Sequence, residues 1–292
     1  MALTSLPSVE IGVIGGTGLY QIHKLKNPNW ISIETPWGNP SDEFLIGEIE
    51  NRSVVFLPRH GKSHHLLPSE INHRANIYAM KKLGVKRILS ISAVGSLKEE
   101  FAPGVFVIPS QFYDRTKSSR EHTFFGEGIV GHITFAEPIC PQIQSLLYES
   151  ASATGPAYLG GTYVNIEGPA FSTRAESQFH HQAGFDVVGM TILGEAKCAR
   201  EAEICYATVA MVTDYDCWHE THAAVTTQMV LDLLQKNVVR SQEIIVRTIS
   251  NLPNQTDCKC QHSLKNAILT PRTYWPLTTV TKLQAILKNY LN

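Results

Sequence analysis

The run Ile11-Gly-Val-Ile14, followed by Gly15-Gly-Thr-Gly18, decides the fold class of this chain. A short apolar run that ends in glycines is typical of a buried strand followed by a tight turn. Glycines at a strand end let backbone N–H groups approach an anion closely, and Thr17 adds a hydroxyl donor. Because the P-loop lysine and the GxGxxG spacing are both missing, the run by itself fits either an anion site or a simple turn.

The segments that follow predict an α/β fold. Residues 53–57 and 87–92 are apolar runs of strand length, and residues 69–83 have helical spacing with Ser69 as a cap. Strand, helix and strand in this order indicate α/β organisation. Further strands are predicted at 105–108, 161–166, 186–190 and 204–212, helices at 139–153, 194–202, 226–248 and 278–291, and a loop at 251–260. No shift in composition marks a boundary, so we expect a single domain over residues 1–292.

Composition argues against several classes of function. The 292 residues carry a formal net charge of −1 without a basic stripe, so nucleic acid and anionic membranes are not expected as partners. A hydrophobic fraction of 43% with 17% charged residues is typical of a soluble globular protein. No apolar run reaches the roughly 18 residues of a membrane span, and the first residues lack a signal-peptide pattern. We therefore expect a cytoplasmic location.

The six cysteines are too few for a disulfide framework in a chain of this length. Cys258-Lys-Cys260 is the only close pair. Two free thiols, a disulfide and a metal contact are all compatible with that spacing. One pair without a second pair or a matching histidine is a weak zinc signal, so the sequence predicts no metal site.

Polar residues after the next two predicted strands are suited to an anion. Arg59 and His60 follow one strand, and a guanidinium can hold phosphate through two parallel N–H bonds. Ser92 and Ala93 mark the end of the other. A surface ion pair is the alternative role for Arg59. However, open α/β sheets bind ligands at the carboxyl ends of their strands, so the coincidence with Thr17 favours a phosphate site.

Two later segments carry side chains suited to a nucleoside. Phe171 offers a flat apolar face to a planar base. Nearby Arg174 and Glu176 have two possible roles, catalysis or fixing this loop by pairing, and the second is favoured. Met190 and Thr191 end a predicted strand, where they supply an apolar wall and a hydroxyl donor. A lone methionine is also a common core filler, so Met190 alone leaves both interpretations open.

Asp214 and Asp216 in the run Thr213-Asp-Tyr-Asp-Cys-Trp218 follow the most apolar strand of the chain. On an extended backbone, side chains two residues apart point to the same side. A solvated acidic loop is the alternative to a functional site. An aspartate near apolar walls can retain a proton for N7 of a departing purine, and a second one can accept from an exocyclic amine.

Together these motifs resemble the methylthioadenosine phosphorylase branch of the trimeric purine nucleoside phosphorylase family. The matching stretches lie in order over most of residues 9–250, namely IGVIGGTGLY, TPWGNPSD, LPRHGKSH, PSEINHRANIYAMKKLG, AVGSLKEE, IEGPAFSTRAES, GEAKCAREAEICYA and TDYDCW. The resemblance implies one α/β domain whose mixed twisted sheet is partly closed into a barrel and flanked by helices. The core spans about residues 9–250, with a C-terminal loop and helix over 251–292.

The resemblance also implies an activity and a set of site residues. It implies a homotrimer that phosphorolyses S-methyl-5′-thioadenosine, with phosphate as co-substrate and neither an organic cofactor nor a metal. The residues that match phosphate-binding positions are Thr17, Arg59, His60, Ser92, Ala93 and Thr191. Those that match nucleoside-binding positions are Phe171, Met190, Asp214 (the catalytic acid), Asp216, Val230, Leu231 and, from a neighbouring subunit, His132.

The chain departs from the family pattern at three positions. Gly189 stands where Asn is frequent, Gly194 where Pro is common, and Thr227 where an apolar residue often lines the alkylthio pocket. The resemblance therefore implies the reaction more firmly than it implies specificity for the 5′ substituent of the nucleoside.

The alternatives are a broader phosphorylase acting on adenosine, inosine or methylthioinosine, and a non-catalytic adenine-nucleoside binding protein. Phosphorylases of 6-oxo nucleosides would be expected to carry Asn in place of Asp214. Binding alone would not need Arg59 and His60.

Overall fold

The computed structural model describes residues 6–16, 18–117, 122–219, 226–254 and 257–291. Within these ranges, eleven strands form one mixed sheet. They are β1 (Ile11–Gly15), β2 (Lys26–Ile31), β3 (Phe44–Ile49), β4 (Arg52–Pro58), β5 (Arg87–Ser96), β6 (Phe106–Ile108), β7 (Gln111–Arg115), β8 (Ala157–Leu159), β9 (Thr162–Ile166), β10 (Val187–Gly189) and β11 (Cys205–Asp214). The α-helices are α1 (His73–Lys82), α2 (Pro141–Ser152), α3 (Arg174–Gln182), α4 (Ile192–Glu201), α5 (Thr227–Asn251), α6 (Leu277–Lys282) and α7 (Gln284–Leu287).

Strand β5 is the branch point of the sheet. Its first residues pair in parallel with β1, whereas Gly95 and Ser96 near its end pair antiparallel with β10. Its other edge pairs in parallel with β11 over most of its length. The main path runs β2-β3-β4-β1-β5-β10-β9-β7, and β11 continues through β6 to β8.

This topology confirms the predicted mixed sheet with flanking helices. The hydrogen bonds leave β2, β7 and β8 with one paired edge each among the described strands, so they do not close the sheet into a full barrel. Every residue of β11 is buried, because the strand pairs on both edges and packs against α2, α4 and α5. Strands covered in this way are expected to be continuously apolar, which is why the run at 204–212 stood out in the sequence.

Two predicted helices are shorter than the periodicity suggested. The helix expected at 69–83 begins at His73, because Asn72 is its cap and accepts a hydrogen bond from the Ala75 amide. Ser69 lies instead in a 3₁₀ turn (Pro68–Glu70) that precedes the helix. The helix expected at 278–291 is divided into α6, α7 and a final 3₁₀ turn.

Several elements carried no clear signal in the sequence. Strands β2, β3, β7 and β8 are short, and β2 is largely exposed. Apolar runs and the alternation of apolar with polar residues therefore do not identify all four strands. Helix α3 begins in the segment that was interpreted as a loop. Thr173 caps it, and Glu176 completes the capping box by accepting from the Thr173 amide. Glu176 therefore does fix local structure, as the second member of the capping box at the start of α3.

None of the helices in the described part of the chain is both long and apolar enough to cross a membrane.

Helices α1 and α4 pack closely where Gly194 meets the imidazole of His73. A Cβ atom at residue 194 would collide with that ring. His73 is buried, and desolvation holds its pKa well below the ordinary value, so the ring is neutral. The glycine that departs from the family pattern is therefore explained by the histidine that fills the adjacent space.

The substitution Gly194→Ala is expected to lower the free energy of unfolding by about 1–3 kcal/mol, because an added methyl group overpacks the α1–α4 contact. Urea denaturation measures this change. In the His73→Ala background the same substitution is expected to cost much less, since the ring is gone. Equal costs in the two backgrounds would contradict the proposed contact.

Candidate active site

A cavity of about 610 Å³ lies at the carboxyl ends of the central strands. Its walls come from the turn after β1, the residues after β4, and the ends of β5, β10 and β11. This is the edge at which open α/β sheets bind ligands. Nine of the sequence-predicted site residues line it, namely Arg59, His60, Ser92, Ala93, Phe171, Met190, Thr191, Asp214 and Asp216.

Arg59 enters the cavity wall as half of a buried ion pair. Its Nε lies 2.5 Å from Glu195 Oε1, and one NH2 hydrogen is donated to Glu195 Oε2 at 3.2 Å. Further N–H groups donate to the Ser90 hydroxyl and the Ile91 carbonyl. Four of its five N–H donors therefore have partners among the described residues. The two side chains are almost fully buried, so this is not a surface ion pair.

His60 is a neutral imidazole with a defined tautomer. Its Nδ1 lies 2.9 Å from the carbonyl oxygen of Leu66, which can only accept, so Nδ1 carries the proton. Burial lowers its pKa to about 4, partly opposed by the Leu66 hydrogen bond. The sequence predicted that His60 donates a hydrogen bond to phosphate. In this tautomer, Nε2 is an acceptor and becomes a donor only when a proton accompanies the anion.

Hydroxyl groups provide the neutral donors of the same wall. Ser92 Oγ and Thr191 Oγ1 lie 3.3 Å apart and both are buried. Gly16 and Gly18 of the first glycine turn also line the cavity, as the sequence predicted for an anion cradle. Thr17 between them lies outside the described residues.

Asp214 and Asp216 line the cavity next to these donors. Asp214 Oδ2 accepts from the Thr213 hydroxyl at 2.6 Å, and its Oδ1 accepts from the Asp216 amide at 2.8 Å. The predicted extended backbone over Asp214 and Asp216 is wrong, because the strand register shifts before Asp214 and Asp216 has a φ of +50°. A local hydrogen-bonded turn, and not strand alternation, brings the two side chains together.

Burial raises the pKa of both carboxyl groups. For Asp214, desolvation outweighs the hydrogen bonds from Thr213 and the Asp216 amide. For Asp216, desolvation outweighs the nearby hydroxyls of Ser177 and Ser172 and the charge of His180. Asp216 Oδ2 is buried and has no hydrogen-bond partner among the described residues. A buried acceptor of this kind is costly unless a ligand satisfies it.

Tyr163 explains the other glycine that departs from the family pattern. A Cβ atom at Gly189 would collide with the Tyr163 hydroxyl, which is fully buried. Desolvation raises the pKa of Tyr163 to about 12, so the phenol keeps its proton. A larger residue at 189 would have to displace this phenol.

Four predicted residues lie elsewhere or cannot be placed. His132 is exposed and does not line the cavity of its own chain, and its amide donates to the Ala267 carbonyl. Thr17 and the side chains of Val230 and Leu231 lie outside the described part of the chain.

The residues that hold Arg59 were not predicted from the sequence. Glu195 accepts from Arg59, from the Ser90 hydroxyl at 3.0 Å and from the Tyr206 hydroxyl at 2.9 Å. Its position as the one charged residue in the first turn of α4 was the available signal. A fully buried carboxylate needs a cationic partner, which the sequence alone did not identify.

Comparison with known proteins identifies the family. Residues 10–250 match the model of the Phosphorylase superfamily. S-methyl-5′-thioadenosine phosphorylase from Geobacter sulfurreducens is 49% identical over 96% of this chain and 99% of the relative. This chain belongs to the methylthioadenosine phosphorylase family. The family member from Synechocystis sp. is 51% identical over 98% of this chain and 89% of the relative.

Solved structures of the family share the fold. A methylthioadenosine phosphorylase from an Antarctic soil metagenomic library has a TM-score of 0.91 and 44% identity, covering 96% of this chain and 99% of that one. The methylthioadenosine phosphorylase of Schistosoma mansoni, in complex with adenine, has a TM-score of 0.82 and 37% identity, covering 88% and 96%.

The raised pKa of Asp216 predicts a pH-dependent difference in stability. The folded state binds the proton on the Asp216 carboxyl group more tightly than the unfolded chain does. The contribution of Asp216 to stability therefore falls as the pH rises from 3.8, the ordinary pKa of an aspartate, through the raised pKa of the folded state. Relative to Asp216→Asn, the wild type is thus expected to lose stability over this window, as measured by chemical denaturation at several pH values. The exposed Glu48→Gln variant is the control. A pH-independent difference between wild type and Asp216→Asn would refute the prediction.

Proposed function

We propose that this protein catalyses the phosphorolysis of S-methyl-5′-thioadenosine to adenine and S-methyl-5-thio-α-D-ribose 1-phosphate. The observation that carries the proposal is the pair of protonatable carboxyls, Asp214 and Asp216, beside an array of anion-compatible donors in one cavity. A nucleoside and a phosphate ion both find complementary chemistry there. The names of the relatives support the same reaction, and one Schistosoma mansoni structure contains methylthioadenosine.

The phosphate is proposed to lie against Ser92, Thr191, Arg59 and His60, with Ala93 and Thr17 beside it. Since four N–H groups of Arg59 already have partners, the guanidinium contributes mainly its charge and its remaining donor. The Ser92 and Thr191 hydroxyls supply neutral hydrogen bonds. Preorganised donors of this kind cost little reorganisation during the reaction.

In the reaction, a phosphate oxygen forms a bond to C1′ on the face opposite the base while the C1′–N9 bond breaks. The sugar passes through an oxocarbenium-like state, which the adjacent phosphate charge stabilises. The bonding electron pair leaves with adenine. Asp214 donates or shares a proton at N7, so the departing base does not accumulate negative charge.

Asp216 is proposed to read the 6-amino group of adenine. Its Oδ2 is the buried acceptor without a partner among the described residues, whereas both oxygens of Asp214 already accept hydrogen bonds. An exocyclic amine would satisfy Oδ2, and a 6-oxo group would place an acceptor against it. Phe171 is proposed to stack near the base and Met190 to pack under the ribose.

The rest of the proposal concerns assembly and environment. The chain is proposed to act as one domain in a cytoplasmic homotrimer, without an organic cofactor. Val230 and Leu231 are assigned to the alkylthio pocket. His132 is assigned to the pocket of a neighbouring subunit, a role compatible with its exposure and its absence from the cavity lining of its own chain.

The substitution Asp214→Ala is expected to lower turnover by roughly 10²–10⁴-fold, because the departing base loses its proton source. Phosphate-dependent release of adenine from methylthioadenosine measures this loss. Glu48→Gln, which alters an exposed carboxylate on β3, serves as the control. Near-normal turnover in folded Asp214→Ala would exclude Asp214 as the acid, whereas no phosphorolysis by the wild type would refute the proposed function itself.

The buried acceptor on Asp216 predicts discrimination between purines. Adenosine is expected to react with a kcat/KM about 10⁴-fold or more above that of inosine, since inosine leaves the carboxylate facing an oxygen. Parallel assays of both nucleosides with phosphate test this, with methylthioinosine as a further 6-oxo substrate. Comparable rates for adenosine and inosine would contradict the assigned role of Asp216.

A further inference from the structure

Four cysteines that are distant in the sequence meet at one place in the fold. Cys140, Cys205, Cys258 and Cys260 are all buried, and their sulfur atoms all lie within 4.8 Å of one another. The sequence showed only the last two as a pair and therefore predicted no metal site. The fold adds two more cysteines to that pair, because the starts of α2 and β11 lie side by side, with the Cys140 amide donating to the Tyr206 carbonyl at 2.8 Å.

The spacing of the sulfur atoms fits a tetrahedral metal ion. Four thiolates at a zinc–sulfur distance of about 2.3 Å are separated from one another by about 3.8 Å. Cys140 Sγ and Cys258 Sγ lie 3.6 Å apart, and no pair exceeds 4.8 Å. Binding would therefore require the widest pair to close by only about 1 Å.

Two features beside the cluster are complementary to negative charge. Cys140 is the N-cap residue of α2, and the amino end of a helix carries partial positive charge. The positive charge of Arg200 acts on Cys260. Arg200 is itself fixed by the carbonyl groups of Thr134 and Glu137.

We infer that Cys140, Cys205, Cys258 and Cys260 form a structural binding site for one thiophilic divalent cation, in particular zinc. On binding, Zn²⁺ displaces four thiol protons, and the resulting tetrathiolate centre carries a net charge of 2−. The metal undergoes no change of oxidation state. Arg200 provides positive charge beside this centre.

The site is placed to anchor the C-terminal segment and not to take part in phosphorolysis. Cys258 and Cys260 belong to the chain beyond α5, whereas Cys140 and Cys205 belong to α2 and β11 of the core. Cys205 begins β11 and Asp214 ends it. At about 3.3 Å per residue, nine steps place the cluster roughly 30 Å from the catalytic carboxylate.

Metal content of the full-length wild type tests this inference. Protein isolated from zinc-supplemented cells in the presence of reductant is expected to contain about one zinc per chain by elemental analysis. After removal of the metal with a chelator, Co²⁺ is expected to produce the visible ligand-field bands and thiolate charge-transfer bands of a tetrahedral sulfur site. Apoprotein is expected to unfold at a lower temperature while still phosphorolysing substrate below that temperature.

Matched cysteine variants locate the site. Cys260→Ala is expected to lose most of the zinc and the Co²⁺ spectrum, whereas Cys198→Ala, which removes a buried thiol outside the cluster, is expected to retain both. Retention of zinc in Cys260→Ala would overturn the inference. So would reduced wild-type protein that takes up no metal, or disulfides among these four cysteines that persist when reductant and zinc are supplied.

Discussion

Arg59 and Glu195 meet in the cavity wall with 3% and 0% of their side chains exposed. Desolvating both charges is expensive, and the pair is maintained because most of the other polar atoms of the two side chains also have partners. Ser90 and Tyr206 donate to Glu195, and the Ile91 carbonyl accepts from Arg59. Removal of one member would strand the other charge, at a cost of about 3–5 kcal/mol. The position of the cation in the candidate phosphate site therefore depends on a carboxylate from α4.

The cavity brings together donors for an anion and protonatable acceptors for a base. Ser92 lies in the second half of β5 and Thr191 just after β10, whereas Asp214 ends β11 and Asp216 follows it. These groups converge because β5 pairs with both neighbours near its carboxyl end. Burial also affects their proton affinity, since desolvation keeps His60 neutral and raises the pKa of both aspartates. The convergence of these strands in a buried cavity thus determines both the position of these side chains and their proton affinity.

Strand β11 links two regions of different chemistry. Its amino end carries Cys205 in the thiol cluster, and its carboxyl end carries Asp214 in the cavity. The cluster ties the segment after α5 to the core, whereas the cavity holds the reacting groups. Their separation along a rigid, fully buried strand allows the C-terminal segment to contribute stability without altering the polarity of the candidate active site.

The sequence alone determined the α/β class, most element positions and nine of the residues that line the cavity, because strand ends and glycine turns are local patterns. It did not determine the partner of Arg59, which lies 136 residues away, or the meeting of Cys140 with Cys258, 118 residues apart. The turn that joins Asp214 to Asp216 and the tautomer of His60 depended likewise on hydrogen bonds and burial in the folded chain. Local patterns show which residue types follow a strand, and only the packing of distant elements decides which of their charges are buried, paired or left for a ligand.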